Sequence, residues 1–223
     1  MKILITGFDA FGGEKINPAS LILDKIVDEI DGHKMEKLLL PTKFVGSADI
    51  LEKKIVQTRP DIIISLGQAG GRTDITVERV AINIADASIA DNDGKMPIDE
   101  KIRWDGENAY FSTLPIKAIV ENLRKEEIPA SVSNSAGTYV CNFIMYNDLY
   151  LADKYKNISA GFIHVPYLPA QVLDKRGMGS MSLENMVKAV EIIIKTSIAY
   201  KGKEDLAKAE GRICWWIELF LFY

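Results

Sequence analysis

Reactive side chains are scarce in this sequence. Its 223 residues include two cysteines, Cys141 and Cys214, and two histidines, His33 and His164. Structural zinc takes Cys or His ligands at tight spacing, and the chain has neither a C-x-x-C nor an H-x-x-x-H pair, which argues against a metal site. No apolar stretch approaches the roughly 18 residues of a membrane span. The amino terminus, MKILITGFDAF, meets Asp9 too early to hold the apolar core of a signal peptide. With 27 Lys and Arg against 31 Asp and Glu and no basic block, nucleic acid is not an expected partner. These absences lead to the expectation of a soluble cytoplasmic protein, off the membrane, whose thiols stay free in a reducing compartment. The length suits one domain spanning residues 1–223, with a core large enough to need no staple.

What is present is a rhythm. Short apolar runs of strand type alternate with segments of helical period, the pattern of a mostly parallel sheet covered on both faces. Strands are expected at Lys2 to Thr6, Lys37 to Leu40, Asp61 to Leu66, Ala130 to Ser133 and Ala160 to Val165. Asn17-Pro18 reads as an N-cap and N1 proline for a helix to about Glu29, and Thr113 with Pro115 opens another through Lys125. Gly46 to Gln57 is a third. After Ser182, a further N-cap, Leu183, Met186, Val187, Val190, Ile193, Ile194 and Ile198 share one helical face. The stretch Ile75 to Ala85 alternates like a strand, then shifts phase around Glu78-Arg79-Val80, as a bulge or sharp bend requires. Residues 86–105 read as a long surface excursion of the kind that covers active sites. The ending GRICWWIELFLFY is too apolar to be left in water, and burial in the core or at a subunit contact is expected of it.

In such a sheet, ligands sit at the carboxyl ends of the strands. Three loops there carry chemistry: GFDAFGG after the first strand, GQAGGR after Leu66, and the end of the strand holding His164. Cys141 follows the turn Ser135-Ala136-Gly137, and the spacing of Val140, Ile144 and Leu151 puts it in the first turn of a helix. Unpaired N–H groups and the macrodipole at that end favour a thiolate and an oxyanion. Taken alone, Cys141 reads more readily as a buried structural thiol, and His164 as a core imidazole bonded to backbone. Their positions in consecutive β/α units bring them to one sheet edge, and that shifts the reading to a nucleophile and its base. His33, after Asp31-Gly32, reads as a solvated turn residue. Glu78 is the candidate to orient the imidazole, a surface carboxylate paired with Arg79 being equally open from local context. The glycine loops also suggest a nucleotide enzyme, a nucleoside phosphorylase-like one, although Gly13 stands where a Walker loop needs Lys.

TGFDAFGG with Asn17-Pro18, GQAGGR leading to ITVERVAIN, SNSAGTYVCN and GFIHVPYLP together closely resemble the cysteine-type pyroglutamyl peptidases, from Lys2 to about Tyr200. The resemblance implies a single three-layer α/β/α domain with a twisted, mostly parallel mixed sheet, assembling as a homotetramer. It implies Cys141 as nucleophile, His164 as base and Glu78 as orienting acid, with no metal or organic cofactor. The substrates would be peptides with an amino-terminal pyroglutamyl residue. The lactam ring would lie against Phe8, Phe11, Ile89, Tyr139 and Val140, with Gln68 giving polar contacts. Ala10, Ser88 and Ala90 depart from the family pattern in the loops of this pocket.

Overall fold

The computed structural model describes residues 1–211. Along the chain run β1 (Lys2–Phe8), α1 (Pro18–Lys25), β2 (Glu29–Ile30), β3 (His33–Leu40), α2 (Ser47–Thr58), β4 (Ile62–Gln68) and β5 (Ile75–Glu78). There follow β6 (Val80–Ile82), β7 (Ala109–Phe111), α3 (Ile116–Lys125), β8 (Ala130–Ser133), α4 (Val140–Tyr155), β9 (Ser159–Val165) and α5 (Leu183–Ala199). Seven strands form one sheet in the order β2-β3-β1-β4-β9-β5-β8, and β6 with β7 forms a separate two-stranded ribbon. Pairings β3-β1, β1-β4, β4-β9 and β5-β8 are parallel, whereas β2-β3 and β9-β5 are antiparallel. This is the mostly parallel mixed sheet that the resemblance implies.

The central strands are apolar on both sides because both sides are covered, as buried parallel strands must be. Ile3 and Ile5 join Ile62 and Ile64 in a core with α1, α3 and α5, while Leu4, Phe8, Ile63 and Phe162 join a second core with α2 and α4. Near the carboxyl ends of these strands the second face turns polar. Thr6, Ser65, Gly67, His164, Thr76 and Glu78 stand where apolar residues would continue the core. Chemistry is thereby confined to one face and one edge, beneath the start of α4.

Local signals account for most boundaries. Asn17 caps α1, its side-chain oxygen accepting from the Ala19 N–H at 3.0 Å, and Ser182 caps α5 by accepting from the Asn185 N–H at 3.2 Å. Two expectations need correction, and two alternatives that local context left open are decided. Helix α1 stops at Lys25 rather than about Glu29, because Ile26 is extended and Glu29–Ile30 is claimed by a hairpin. Asp31 and Gly32, both at positive φ, make the two-residue turn of that hairpin, and His33 is the first residue of β3 rather than a solvated turn residue. Its Nδ1 lies 2.8 Å from the terminal amine of Met1. The phase shift at Glu78-Arg79-Val80 is a change of sheet, not a bulge: β5 ends in the main sheet and β6 begins in the ribbon, so the chain re-faces across Arg79. Glu78 does not pair with Arg79, whose Nε donates to Asn134 Oδ1 at 2.7 Å. Residues 86–105 are irregular apart from one bridge between Ala85 and Glu100, as expected. The apolar tail, Cys214 included, lies outside the described residues.

Candidate active site

Backbone register brings the three candidate groups together. His164 on β9 is directly opposite Gly67 on one side and Thr76 on the other. Glu78, two residues beyond Thr76, therefore projects from the same face as His164 at the diagonal position, within reach of a long side chain. The contact is made: His164 Nδ1 lies 2.7 Å from Glu78 Oε1. That engages Nδ1 and leaves Nε2 available, and the Cys141 side chain lies near enough for its charge to raise the imidazole pKa. Cys141 is in the first turn of α4, is a free thiol, and is partly exposed. Its sulfur lies so close to the sheet that a Cβ on Gly67 would stand 2.9 Å from Sγ and 2.7 Å from the ring of Phe162. Only glycine fits there.

The electrostatics favour a charged pair. Burial pushes the His164 imidazole down, yet the Cys141 and Glu78 charges and hydrogen bonds outweigh it and raise its pKa. Burial likewise pushes the Glu78 carboxyl up, but the His164 hydrogen bond and charge, then the Ser133 hydroxyl and the Arg72 charge, hold it below the ordinary carboxylate range. Phe162, its ring centroid 4.9 Å from that of His164, walls the imidazole from water on one side. Helix α4 has no side-chain cap, and its first helical bond runs from the Phe143 N–H to the Tyr139 carbonyl at 3.0 Å. The N–H groups of Val140, Cys141 and Asn142 precede that bond and are the donors an oxyanion beside Sγ would meet.

Of the residues expected around the ring pocket, Phe11 and Tyr139 meet with centroids 6.0 Å apart and are both partly exposed. Phe8 packs against Phe162 at 6.2 Å and, with Val140, is buried behind that pair. Ile89 is half-exposed on the excursion, which is fastened over this corner by the Tyr139 hydroxyl donating to the Ala90 carbonyl at 3.1 Å. Asn92 Nδ2 donates to the Ala10 carbonyl at 2.9 Å, closing the excursion onto the β1–α1 loop. Gln68 is buried at the end of β4, its Oε1 accepting from Gln171 Nε2 at 2.8 Å. Sequence reasoning assigned no role to Gly67, Phe162, Gln171 or Arg72. Three of them lie inside the quoted blocks, and only the fold shows what each touches.

A thiol, an imidazole and a buried carboxylate gathered at the carboxyl edge of an α/β sheet, under an uncapped helix, are the groups a cysteine peptidase uses. The chain belongs to the pyroglutamyl peptidase family, whose model matches residues 1–200. It is 54% identical over 215 residues to the pyrrolidone-carboxylate peptidase of Clostridium perfringens strain SM101, covering 96% of this chain and all of that one. The enzyme of the same name from Streptococcus suis is 52% identical over 212 residues, covering 95% and 99%. Among solved structures, pyroglutamyl peptidase I from Bacillus amyloliquefaciens superposes with a TM-score of 0.89 at 42% identity, covering 93% of this chain and 99% of that chain. Pyrrolidone carboxyl peptidase from Thermococcus litoralis gives 0.90 at 41%, with the same coverage. The nucleoside phosphorylase-like alternative finds no support in these relationships.

Proposed function

We propose that this enzyme hydrolyses the bond after an amino-terminal pyroglutamyl residue of a peptide, with Cys141 as nucleophile, His164 as base and then acid, and Glu78 as the orienting carboxylate. One observation carries the assignment of roles: a fully enclosed Glu78 holds His164 Nδ1 at 2.7 Å while the Cys141 sulfur lies over Gly67, the residue paired with His164. The Cys141 thiolate attacks the carbonyl carbon of the pyroglutamyl residue, and the oxyanion meets the free N–H groups at the start of α4. His164 gives its proton to the departing amine, so the C–N bond breaks and a thioester remains. A water then loses its proton to the same imidazole and attacks the thioester, releasing pyroglutamate and restoring the thiolate.

The lactam is small, flat and uncharged. Phe11 and Tyr139 would flank it, Phe8 and Val140 back them, Ile89 stand at the rim and Gln68 supply fixed polar contacts. Such a pocket rejects an open, charged amino terminus, which it would have to desolvate without a partner. The reading extends to a single domain over 1–223, a homotetramer and residence in the cytoplasm, supported by the resemblance. Among the described residues no helix is long and apolar enough to cross a membrane.

Hydrolysis of pyroglutamyl-aminomethylcoumarin, with the prolyl analogue as control, tests substrate and chemistry together. Turnover of the first alone, abolished by iodoacetamide and reduced more than about 10³-fold in Cys141→Ala, is expected. Wild-type turnover in that variant would sink the assignment.

A further inference from the structure

One guanidinium stands at the centre of this site with no role in the steps above. Arg72 ends the glycine-rich loop between β4 and β5. Its Nη1 donates to Glu78 Oε1 at 2.6 Å, the same oxygen that His164 Nδ1 approaches at 2.7 Å. The same nitrogen donates to the hydroxyl of Thr76, the residue directly opposite His164 in the sheet. Nη2 reaches the carbonyl of Ser135 at 3.4 Å, in the loop that leads into the Cys141 helix. Arg72 thus touches the strand of the carboxylate, a residue beside the base and the approach to the nucleophile. It also lines, with Asp74, Thr76, Ser133 and Ser135, a cavity of about 450 Å³ that opens to solvent.

The placement answers a physical difficulty. Glu78 has no exposed surface, and its Oε2 is buried without a hydrogen-bond partner. An ionised carboxylate so enclosed is costly unless its charge is matched. His164 alone cannot match it throughout the reaction, because the imidazole surrenders its proton to the leaving amine and becomes neutral. At that point only a cation that keeps its proton holds Glu78 ionised, and arginine is the side chain that does so.

We propose that Arg72 is a positioning residue of the catalytic centre, holding Glu78 ionised and aimed at His164 through every step and tying it to the loop before Cys141. The proposal rests on the assignment of Cys141, His164 and Glu78 made above. Arg72 touches neither substrate nor the reacting atoms and acts through Glu78. The titratable and charged groups that face the cluster are Cys141 and the Tyr139 phenol from the start of α4, His164 from β9, Glu78 from β5 and Asp74 from the loop before β5, which lines the cavity beside Arg72. Arg72 is the cation among them whose charge does not change with the reaction.

Removing one fixed positive charge disfavours every deprotonation in the cluster. In Arg72→Met, both limbs of the pH profile of kcat/KM for pyroglutamyl-aminomethylcoumarin should therefore move to higher pH by about one unit, with kcat down about 10²-fold and KM within about twofold. The pH dependence of Cys141 alkylation by iodoacetamide should move the same way without substrate present. Arg72→Lys, which keeps the charge and loses the fork, should restore the limbs and only part of kcat. Unshifted limbs in Arg72→Met, or limbs in Arg72→Lys displaced as far as in Arg72→Met, would overturn the proposal. If Arg72→Met does not fold, judged by circular dichroism, Thr76→Val decides: a smaller shift in the same direction supports the proposal and none refutes it. An active, alkylation-insensitive Cys141→Ala enzyme would instead remove the assignment beneath it, so the two failures are distinguishable.

Discussion

His164 Nδ1 and Glu78 Oε1 lie 2.7 Å apart across two antiparallel strands, with the carboxylate wholly enclosed and the imidazole 4% exposed. The contact fixes which ring nitrogen faces the sulfur, since the nitrogen held by a carboxylate is unavailable elsewhere. A neutral Gln at position 78 would keep the shape and lose the charge that stabilises an imidazolium. Glu78→Gln is expected to lower kcat about 10²- to 10⁴-fold with little change in KM, measured by steady-state hydrolysis of the coumarin substrate. An unchanged kcat would remove Glu78 from the mechanism.

The pH dependence of activity follows from the same pair. His164 is raised to about 9 by the Cys141 and Glu78 interactions, which overcome the opposing effect of its burial. Activity should therefore be retained through pH 8 and fall as the imidazolium loses its proton near pH 9. The folded value is above the unfolded one, so its contribution to stability is full below about 6.5 and is lost as pH rises through 9. A kcat/KM profile whose alkaline limb lies near 7 would contradict this.

A second buried group makes stability fall with pH in the same sense. Asp148 on α4 is pushed up to about 8 by burial, against the smaller opposing effect of its hydrogen bond from the Ser65 hydroxyl, 2.6 Å from Oδ2. Thr6 Oγ1 continues the chain at 2.7 Å from Ser65 Oγ, and Asp148 Oδ1 has no partner. The folded form binds a proton that the unfolded carboxyl releases near 3.9, so stability declines as pH rises from about 4 to 8. Asp148→Asn should flatten the decline in melting temperature between pH 5 and 8. An equally steep decline in the variant would show that other groups cause it.

Gly67→Ala tests the close approach of the nucleophile to the sheet. The added methyl would meet Phe162 Cζ at 2.7 Å and Cys141 Sγ at 2.9 Å, so ring or sulfur must move. Overpacking of this kind costs about 1–3 kcal/mol, and a 1 Å shift of a reacting atom costs about 10²-fold in rate. The expected result is a folded, destabilised protein with kcat/KM down about 100-fold, read by thermal melting and hydrolysis. Wild-type activity would mean that Sγ does not sit over Gly67 in the working enzyme.

Much of this was legible in one dimension because the determinants are local. Asn17-Pro18 and Ser182 announce helix starts through their own backbone chemistry, and the run from Ile62 to Leu66 announces a strand buried on both faces. Cys141 and His164 stood out because the chain has so few groups of their kind. The helix expected to reach Glu29 was misjudged because its last turn competed with a hairpin whose other strand, His33–Leu40, lies beyond it. The cation beside Glu78 was not legible locally: Arg79 is adjacent in sequence, but adjacent residues in a strand point to opposite faces, and Arg72 arrives from a loop.

The sequence by itself determined the alternation of strands and helices, the helix caps and the short inventory of groups able to act as nucleophile and base. These are settled by the period of apolar residues and by side-chain chemistry within a few positions. Only the tertiary structure decided that β5 inserts antiparallel beside β9, placing Glu78 diagonal to His164, that Gly67 yields its space to Cys141 and that Arg72 shares the carboxylate. Those outcomes depend on register between strands far apart in the chain, where a one-residue slip would turn each side chain to the opposite face.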